Sequence, residues 1–340
     1  MTGAITGIFN ILATPFDASL AVDVASLRRL VEFQLDKGVY GLTILGVLGE
    51  AAKLTVEERQ LVMETVMSTV NGRVPVVVGT SHAKIETCIE LSQSAFAAGA
   101  SGVMIAPPRM PGASDDDIIA LYSRVAEQVS GAIVVQDFPP VNDVIMSAPM
   151  LARLAETIPN ARYLKLEDPP LMEKIGAIRA LTDQFEIFGG LGGMFLLEEL
   201  RRGASGTMTG FAFSEVLVAV YEAFKAGRMA EAEAIFDRYL PLIRYENQPI
   251  INLTIRKEML YRRGAIAHPR CVRRSRPSRR GHWMRSGGCL RASASATRRK
   301  RLCCNVGHQS AYWVFTPHPR PLSHASGERG EIANAVCSPP

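Results

Sequence analysis

The chain has 340 residues, of which 47% are hydrophobic and 21% charged, a composition that excludes a fibrous chain and a chain disordered throughout. The net charge of +5 is unevenly distributed, because residues 268–340 hold 14 of the 38 basic residues but only two of the 33 acidic ones. That segment carries +12 and residues 1–267 carry −7, which argues against nucleic acid as a partner of the larger segment.

Cysteine usage points to a reducing compartment. Cys88 is the only cysteine of residues 1–267, so this segment has no disulfide framework. The first residues show no basic stretch followed by an apolar one, and no stretch is as long as a membrane span. We therefore expect a cytoplasmic protein that acts away from membranes.

Short apolar stretches alternate with helical patterns from residue 7 onward. The short stretches have the length and β-branched content of buried strands, and they cover residues 7–16, 41–46, 74–79, 103–106, 132–138, 163–167, 185–189 and 206–210. Apolar residues at helical spacing predict helices over residues 24–37, 55–70, 85–98, from 114, 148–157, 171–181 and 195–202. Three more helical patterns follow, over residues 214–227, 229–245 and 249–263.

This order predicts an α/β fold of the (β/α)8 TIM-barrel type with about three extra C-terminal helices. Strands that are apolar throughout, each followed by a helix, indicate a parallel sheet covered on both faces. The glycine-rich turn that a dinucleotide-binding fold needs after its first strand is absent, since Ala13-Thr14-Pro15-Phe16 stands there.

The composition changes near residue 267. We divide the chain into a barrel with its helical segment, residues 1–266, and a basic tail, residues 267–340, which is rich in Cys, Arg and Pro. The tail lacks apolar periodicity, so we expect it to be of low order and typical of a non-native or read-through sequence. The alternatives are a nucleic-acid-binding arm and a metal knuckle, although Cys303-Cys304 lacks the spacing of a zinc site.

Lys165 is the first candidate catalytic residue, since the chemistry of such barrels lies at the C-terminal ends of the strands. It occupies the sixth strand between Leu164 and Leu166. Burial of an ammonium disfavours its charged form, which makes the free amine available as a nucleophile. The alternative is a lysine that extends from the strand end into solvent.

Polar or glycine-rich residues follow three other strands. The glycines of Gly46-Val47-Leu48-Gly49-Glu50 allow a tight turn whose amides can face a carboxylate. Gln136 and Asp137 end the fifth strand, and Glu167 ends the sixth. Asp137 and Glu167 are candidate general acids or bases, since burial can raise the pKa of a carboxyl toward neutrality. A turn-capping acid and a salt bridge on the barrel rim are the respective alternatives.

The joint order of these features resembles the dihydrodipicolinate synthase / N-acetylneuraminate lyase family of Schiff-base-forming lyases. The resemblance covers residues 5 to about 265. It rests on the G-x-x-G-E turn at 46–50, on the lysine of the sixth strand and on Thr14-Pro15-Phe16, Val77-Val78-Gly79-Thr80, Ala106-Pro107-Pro108 and the prolines after the fifth strand.

The resemblance implies that Lys165 forms a Schiff base with a 2-oxo acid such as pyruvate. The imine then serves as an electron sink while an aldolase makes or breaks a C–C bond, or a dehydratase expels water from a sugar-derived 2-oxo acid. Resemblance further implies that the turn at Gly46, Val47, Leu48 and Gly49 holds the substrate carboxylate, and that the Met208 carbonyl and the region of Gly190 face the substrate. It implies no metal or organic cofactor, a small-molecule partner and a homo-oligomer, commonly a homotetramer.

The chain departs from the family pattern in ways that narrow the reaction. The hydroxyl residues usual between the two glycines are Val47 and Leu48, and the strand-five tyrosine that shuttles protons corresponds to Gln136. An amide cannot exchange protons at neutral pH, so Asp137 or Glu167 has to serve instead. The arginine that reads a second carboxylate is absent, as is a tyrosine after the fourth strand.

These departures argue against dihydrodipicolinate synthase activity itself and weaken a sialic acid lyase interpretation. The imine step survives them, since it requires only a desolvated lysine and a carboxylate cradle. Two classes therefore stay open: a lyase of the aldolase or dehydratase type, and a non-catalytic paralogue that binds a keto acid and has lost the tyrosine relay.

Overall fold

The computed structural model describes residues 4–271. Within them eight parallel strands close into a barrel in chain order, and β8 pairs with β1 to complete it. The strands are β1 (Gly7–Ile11), β2 (Gly41–Ile44), β3 (Val76–Gly79), β4 (Gly102–Ile105), β5 (Ala132–Asp137), β6 (Tyr163–Leu166), β7 (Glu186–Gly189) and β8 (Gly206–Thr209). The predicted (β/α)8 barrel is confirmed.

The helices surround the barrel and extend it at the C-terminal side. They are α1 (Val24–Asp36), α2 (Val56–Val70), α3 (Ile85–Ala97), α4 (Asp115–Ala126), α5 (Pro139–Asn142), α6 (Ala148–Thr157), α7 (Leu171–Leu181), α8 (Leu196–Arg201), α9 (Ser214–Lys225), α10 (Met229–Glu246) and α11 (Asn252–Arg262). The short α5 after β5 is not predicted from the sequence, because its four residues are too few to show helical periodicity.

Local capping explains where two helices begin. Thr55 and Glu58 form a reciprocal capping box at the start of α2, and Ser114 and Asp117 form another at the start of α4. Each box satisfies amide groups that the first helical turn leaves without partners. The helices predicted from residues 55 and 114 therefore begin at these two capping residues.

Alternating side chains divide the core into two layers. One face of the strands fills the barrel interior with residues such as Phe9, Val77, Phe188 and Met208. The opposite face packs against the helices, as do Leu164 and Leu166 of β6. A polar residue in a strand is therefore assigned to the interior or to the helix-facing layer by its register alone.

The packed segment extends slightly beyond the boundary predicted at residue 266. The Ala267 amide donates to Ser26 Oγ at 2.9 Å, and the Arg270 carbonyl accepts from Lys257 Nζ at 2.8 Å. These bonds hold residues 267–270 against α1 and α11. The rest of the tail, residues 272–340, lies outside the described residues. No helix among residues 4–271 has the length and apolarity needed to cross a membrane.

Barrel closure depends on a glycine where β8 meets β1. Gly206 has a φ of 153°, and a Cβ there would stand 1.9 Å from the Gly7 carbonyl oxygen. We predict that Gly206→Ala destabilises the protein by about 1–3 kcal/mol, because two paired strands must separate. Gly176→Ala is the matched control: it lies in α7 with open space around it, and should stabilise by up to about 1 kcal/mol. Thermal unfolding at a fixed scan rate measures the stability of both variants. Equal melting temperatures of Gly206→Ala and Gly176→Ala would contradict this account.

Candidate active site

Strand β6 carries Lys165 and Glu167 into the mouth of the barrel. Leu164 and Leu166 point to the helix-facing layer, so the alternating residues 165 and 167 face inward. Lys165 is 4% exposed and Glu167 is 7% exposed. The backbone of Lys165 pairs with Gln136 of β5 on one side and with Phe188 of β7 on the other.

Lys165, Glu167 and Gln136 form one connected group. Lys165 Nζ lies 2.8 Å from Glu167 Oε2, and Gln136 Nε2 donates to the same oxygen at 2.9 Å. Glu167 therefore lies inside the barrel rather than in a salt bridge on its rim. The apolar neighbours of Lys165 in sequence point away from it, and its ammonium is held instead by a buried carboxylate.

A small cavity lies directly over this group. It measures about 120 Å³ and its lining includes Lys165, Glu167, Gln136, Leu48, Met208 and Arg256. A second cavity of about 500 Å³ shares Val47, Met104, Gln136 and Phe138 with it. A third cavity, of about 540 Å³, is lined mainly by residues of α3, α4 and the loops before them and by none of Lys165, Glu167 and Gln136. We place the site at the smallest of the three, because only there do a lysine and a carboxylate meet.

The turn after β2 is held rigidly beside the cavity. Thr14 Oγ1 donates to the Gly49 carbonyl at 2.7 Å, and the Glu50 carboxylate bonds Lys257 Nζ at 2.5 Å and Lys53 Nζ at 2.9 Å. Within residues 4–271 the amides of Val47 and Leu48 donate no hydrogen bond. Two amides in a fixed turn with no acceptor are suited to an anionic oxygen.

The ends of β7 and β8 complete the wall. A Cβ on Gly190 would lie 2.5 Å from Glu167 Oε1, so Gly190 leaves the space in which that carboxylate lies. Met208 is fully buried and lines the cavity. Of the predicted residues, Val47, Leu48 and Met208 line the cavity with Lys165 and Glu167, and Gly190 lies against the Glu167 carboxylate. Gly46 lines the neighbouring cavity of about 500 Å³, and Gly49 belongs to the same turn.

Asp137 faces the other layer, so the structure does not bring its carboxyl to the cavity over Lys165. Its neighbour Gln136 points inward, so Asp137 points toward α7, where Lys174 Nζ lies 2.5 Å from its Oδ2. Lys174 also bonds Asp168 at 2.7 Å. Burial raises the pKa of Asp137 to about 6, and Lys174 lowers it only in part. The group is buried between sheet and helix, away from the cavity.

The contribution of α10 and α11 to the lining of the cavity is not predicted from the sequence. Asn247, Asn252 and Arg256 line the cavity over Lys165, although all three follow the barrel in sequence. Arg256 lies four residues before the buried Leu260, on the same helix face. A cation at an apolar helix position is the signal that could have identified it. Within residues 4–271 no three His, Cys, Asp or Glu residues are grouped to hold a metal ion.

The chain is similar to known proteins in both sequence and fold. The model of the dihydrodipicolinate synthetase family matches residues 4–277. An L-2-keto-3-deoxyarabonate dehydratase of Azospirillum brasilense is 37% identical over 272 residues, covering 78% of this chain and 86% of the relative. A 4-hydroxy-tetrahydrodipicolinate synthase of Sorangium cellulosum is 34% identical over 233 residues, 68% of this chain and 77% of the relative. The crystal structure of a dihydrodipicolinate synthase from Rhodopseudomonas palustris superposes with a TM-score of 0.75 at 34% identity, over 80% of this chain and 92% of that one.

A second buried carboxyl lies behind the site. Glu199 of α8 is 1% exposed, a Cβ on Gly189 would lie 1.8 Å from its Oε2, and that oxygen has no hydrogen-bond partner among the described residues. Burial raises the pKa of Glu199 to about 8, with smaller contributions from the charges of Glu198 and Glu167. The carboxyl therefore keeps its proton in the native protein at neutral pH.

This proton makes stability depend on pH. The pKa of Glu199 is about 8 in the native state and near its ordinary value of 4.5 when unfolded. The native chain therefore holds one proton more between these values, and stability falls as pH rises through that window. We predict that the melting temperature of Glu199→Gln rises relative to wild type from pH 5 to pH 8. The exposed neighbour variant Glu198→Gln should show little such trend; a Glu199→Gln difference independent of pH would contradict the assignment.

Proposed function

The chain belongs to the dihydrodipicolinate synthetase family, and from that premise we propose that Lys165 forms an imine with a 2-oxo acid and that the enzyme then dehydrates a sugar-derived 2-keto-3-deoxy acid. The coarser assignment, a lyase of this family, follows from the family match itself. The observation that carries the proposal is the buried contact of 2.8 Å between Lys165 Nζ and Glu167 Oε2. This contact supports the proposal, because a lysine amine and a carboxylate that could exchange a proton lie side by side in one cavity.

The imine step begins with this contact. Glu167 takes a proton from the Lys165 ammonium, and the free amine attacks the C2 carbonyl of the acid. The carbonyl oxygen leaves as water with the proton that Glu167 returns and one proton from the amine, so a protonated C=N bond joins C2 to Nζ and Glu167 is again a carboxylate. Gln136 holds Glu167 Oε2 in place by donating its amide hydrogen at 2.9 Å. The amides of Val47 and Leu48 hold the C1 carboxylate beside the reacting carbon.

Elimination then uses the same carboxylate twice. Glu167 removes a proton from C3, and the electron pair of that C–H bond moves into the imine to form an enamine. The enamine expels the C4 hydroxyl, which leaves as water with the proton that Glu167 returns. Hydrolysis of the unsaturated imine releases the product and restores Lys165. The net change is the loss of one water from the substrate.

Three features favour dehydration over the synthase reaction. One carboxylate that takes a proton at C3 and returns it at C4 is sufficient for an elimination between adjacent carbons. Gln136 cannot take part in a proton relay. The 37% identical relative from Azospirillum brasilense is named as a dehydratase. Aldol cleavage is the alternative reaction, and a keto-acid-binding paralogue without activity is the alternative class of protein. The carboxylate of Glu167 beside Lys165 argues against the inactive paralogue.

Family membership alone supports three further proposals: pyruvate as a compound that the site accepts, a homo-oligomer of the tetrameric type, and a cytoplasmic location. The division into a barrel with its helical segment, residues 1–266, and a tail, residues 267–340, is likewise kept as a proposal.

The proposal predicts the product and the residue that makes it. Incubation with L-2-keto-3-deoxyarabonate should yield a product lacking one water, which mass spectrometry and NMR can identify. Glu167→Gln should lower kcat by about 100-fold or more, since general acid–base catalysis contributes that much. The matched control is Asp137→Asn, whose carboxyl faces Lys174, and it should retain most of the activity.

Two outcomes would contradict this account. Release of pyruvate instead of water would make the enzyme an aldolase. Loss of activity in Asp137→Asn with activity retained in Glu167→Gln would show that Asp137, and not Glu167, transfers the proton.

A further inference from the structure

Arg256 is a buried cation whose hydrogen bonding is incomplete. It is 1% exposed, and its Nε donates to Glu246 Oε1 at 2.7 Å. Its Nη1 is buried without a partner among the described residues, and its side chain lines the cavity over Lys165. Within residues 4–271 the contact with Glu246 is the only hydrogen bond that this guanidinium makes.

Such an arrangement is costly for the protein alone. A buried donor without an acceptor destabilises the folded protein, and more so when the group is charged. Glu246 satisfies one edge of the guanidinium and also accepts from the Ala212 amide at 3.1 Å, which fixes Arg256 in this orientation. The remaining Nη groups are thus pre-positioned donors beside the cavity.

Arg256 Nη1 lies close to the side chain of Leu48. A Cβ on Gly210 would lie 2.9 Å from Arg256 Nη1 and 2.9 Å from Leu48 Cδ1, so the two side chains converge over Gly210. Gly210 directly follows β8, and Leu48 lies in the turn after β2 and lines the cavity. The guanidinium therefore lies beside the proposed carboxylate cradle, and Gly210 leaves the space for it.

The cradle itself contains no side chain that binds an anion. Val47 is 61% exposed and apolar, and Leu48 is apolar and half-buried. Backbone amides supply directed donors but no full positive charge. The Lys165 ammonium loses its charge before it attacks a carbonyl, so it cannot hold the carboxylate electrostatically during that step. A guanidinium offers donors in the fork geometry that matches a carboxylate.

We propose that Arg256 of the appended helix α11 binds the C1 carboxylate of the 2-oxo acid together with the amides of Val47 and Leu48. The inference rests on the proposed function, because it assumes that a 2-oxo acid occupies the cavity. It assigns the helices α10 and α11 a role in recognising the substrate. Glu246 is the positioning residue, which holds Arg256 and does not touch the substrate.

The test compares pyruvate with pyruvamide, which keeps the ketone and replaces the carboxylate by a neutral amide. Isothermal titration calorimetry measures the affinity of each compound for the full chain, and borohydride reduction with mass spectrometry measures imine formation separately. The variants are Arg256→Lys, which keeps a cation for Glu246, and Arg256→Met combined with Glu246→Gln, which leaves no buried charge unpaired. Arg263→Met is the matched control: an arginine of the same segment that pairs with Glu215 outside the cavity.

Both Arg256 variants should bind pyruvate about 10- to 100-fold more weakly than wild type, as expected for loss of a hydrogen bond to a charged group. Their affinity for pyruvamide should change little, and Arg263→Met should match wild type with both compounds. Equal weakening of the two compounds would reduce Arg256 to a structural role, and unchanged pyruvate affinity would overturn the proposal.

The same experiment separates this inference from the proposed function. Wild-type protein that binds pyruvate but gives no reduced adduct contradicts the imine, while the calorimetric comparison still decides the role of Arg256. Wild-type protein that binds neither compound overturns both.

Discussion

The site depends on one geometric constraint, the alternation of side chains along β5 and β6. Because successive residues of a strand face opposite sides, Lys165 and Glu167 enter the barrel together, and the register with β5 sends Gln136 inward beside them. The same rule turns Asp137 outward onto Lys174. A shift of one residue in β6 would turn Lys165 and Glu167 toward the helices, and the same shift in β5 would turn Asp137 inward in place of Gln136. The chemistry proposed for Glu167 is therefore a consequence of strand register, and the raised pKa of Asp137 is no sign of catalysis.

One buried ion pair connects the appended helices to the barrel mouth, and a second joins two of these helices to each other. Lys257 bonds Glu50 of the turn after β2, and Arg256 bonds Glu246 of α10, with all four side chains at most 2% exposed. Removing one partner of such a pair costs about 3–5 kcal/mol, because the other charge is left buried. Helix α11 thus holds the turn after β2 through Lys257 and reaches the cavity through Arg256. The helices after the barrel are part of the active-site structure and not an accessory to it.

Much of the fold could be predicted, since continuous apolar strands and amphipathic helices each have a local signature. The bounds predicted for α6 and α7 are those observed, and the position of Lys165 on the sixth strand followed from counting strands. Side-chain direction could not be read with the same certainty. Gln136 and Asp137 are neighbours in a run of buried residues, so composition gave no sign of which one faces inward. Arg256 was missed because its position near Leu48 depends on how α11 packs over the barrel mouth. The two residues are more than 200 positions apart in the sequence.

The central claim is that Lys165 forms an imine with a 2-oxo acid. Borohydride reduction in the presence of pyruvate or L-2-keto-3-deoxyarabonate, followed by peptide mass mapping, tests it directly. The account predicts a reduced adduct on the peptide that contains Lys165, and none in Lys165→Arg, which keeps the positive charge opposite Glu167. Absence of any adduct with either compound, or an adduct on Lys174 instead, would contradict it.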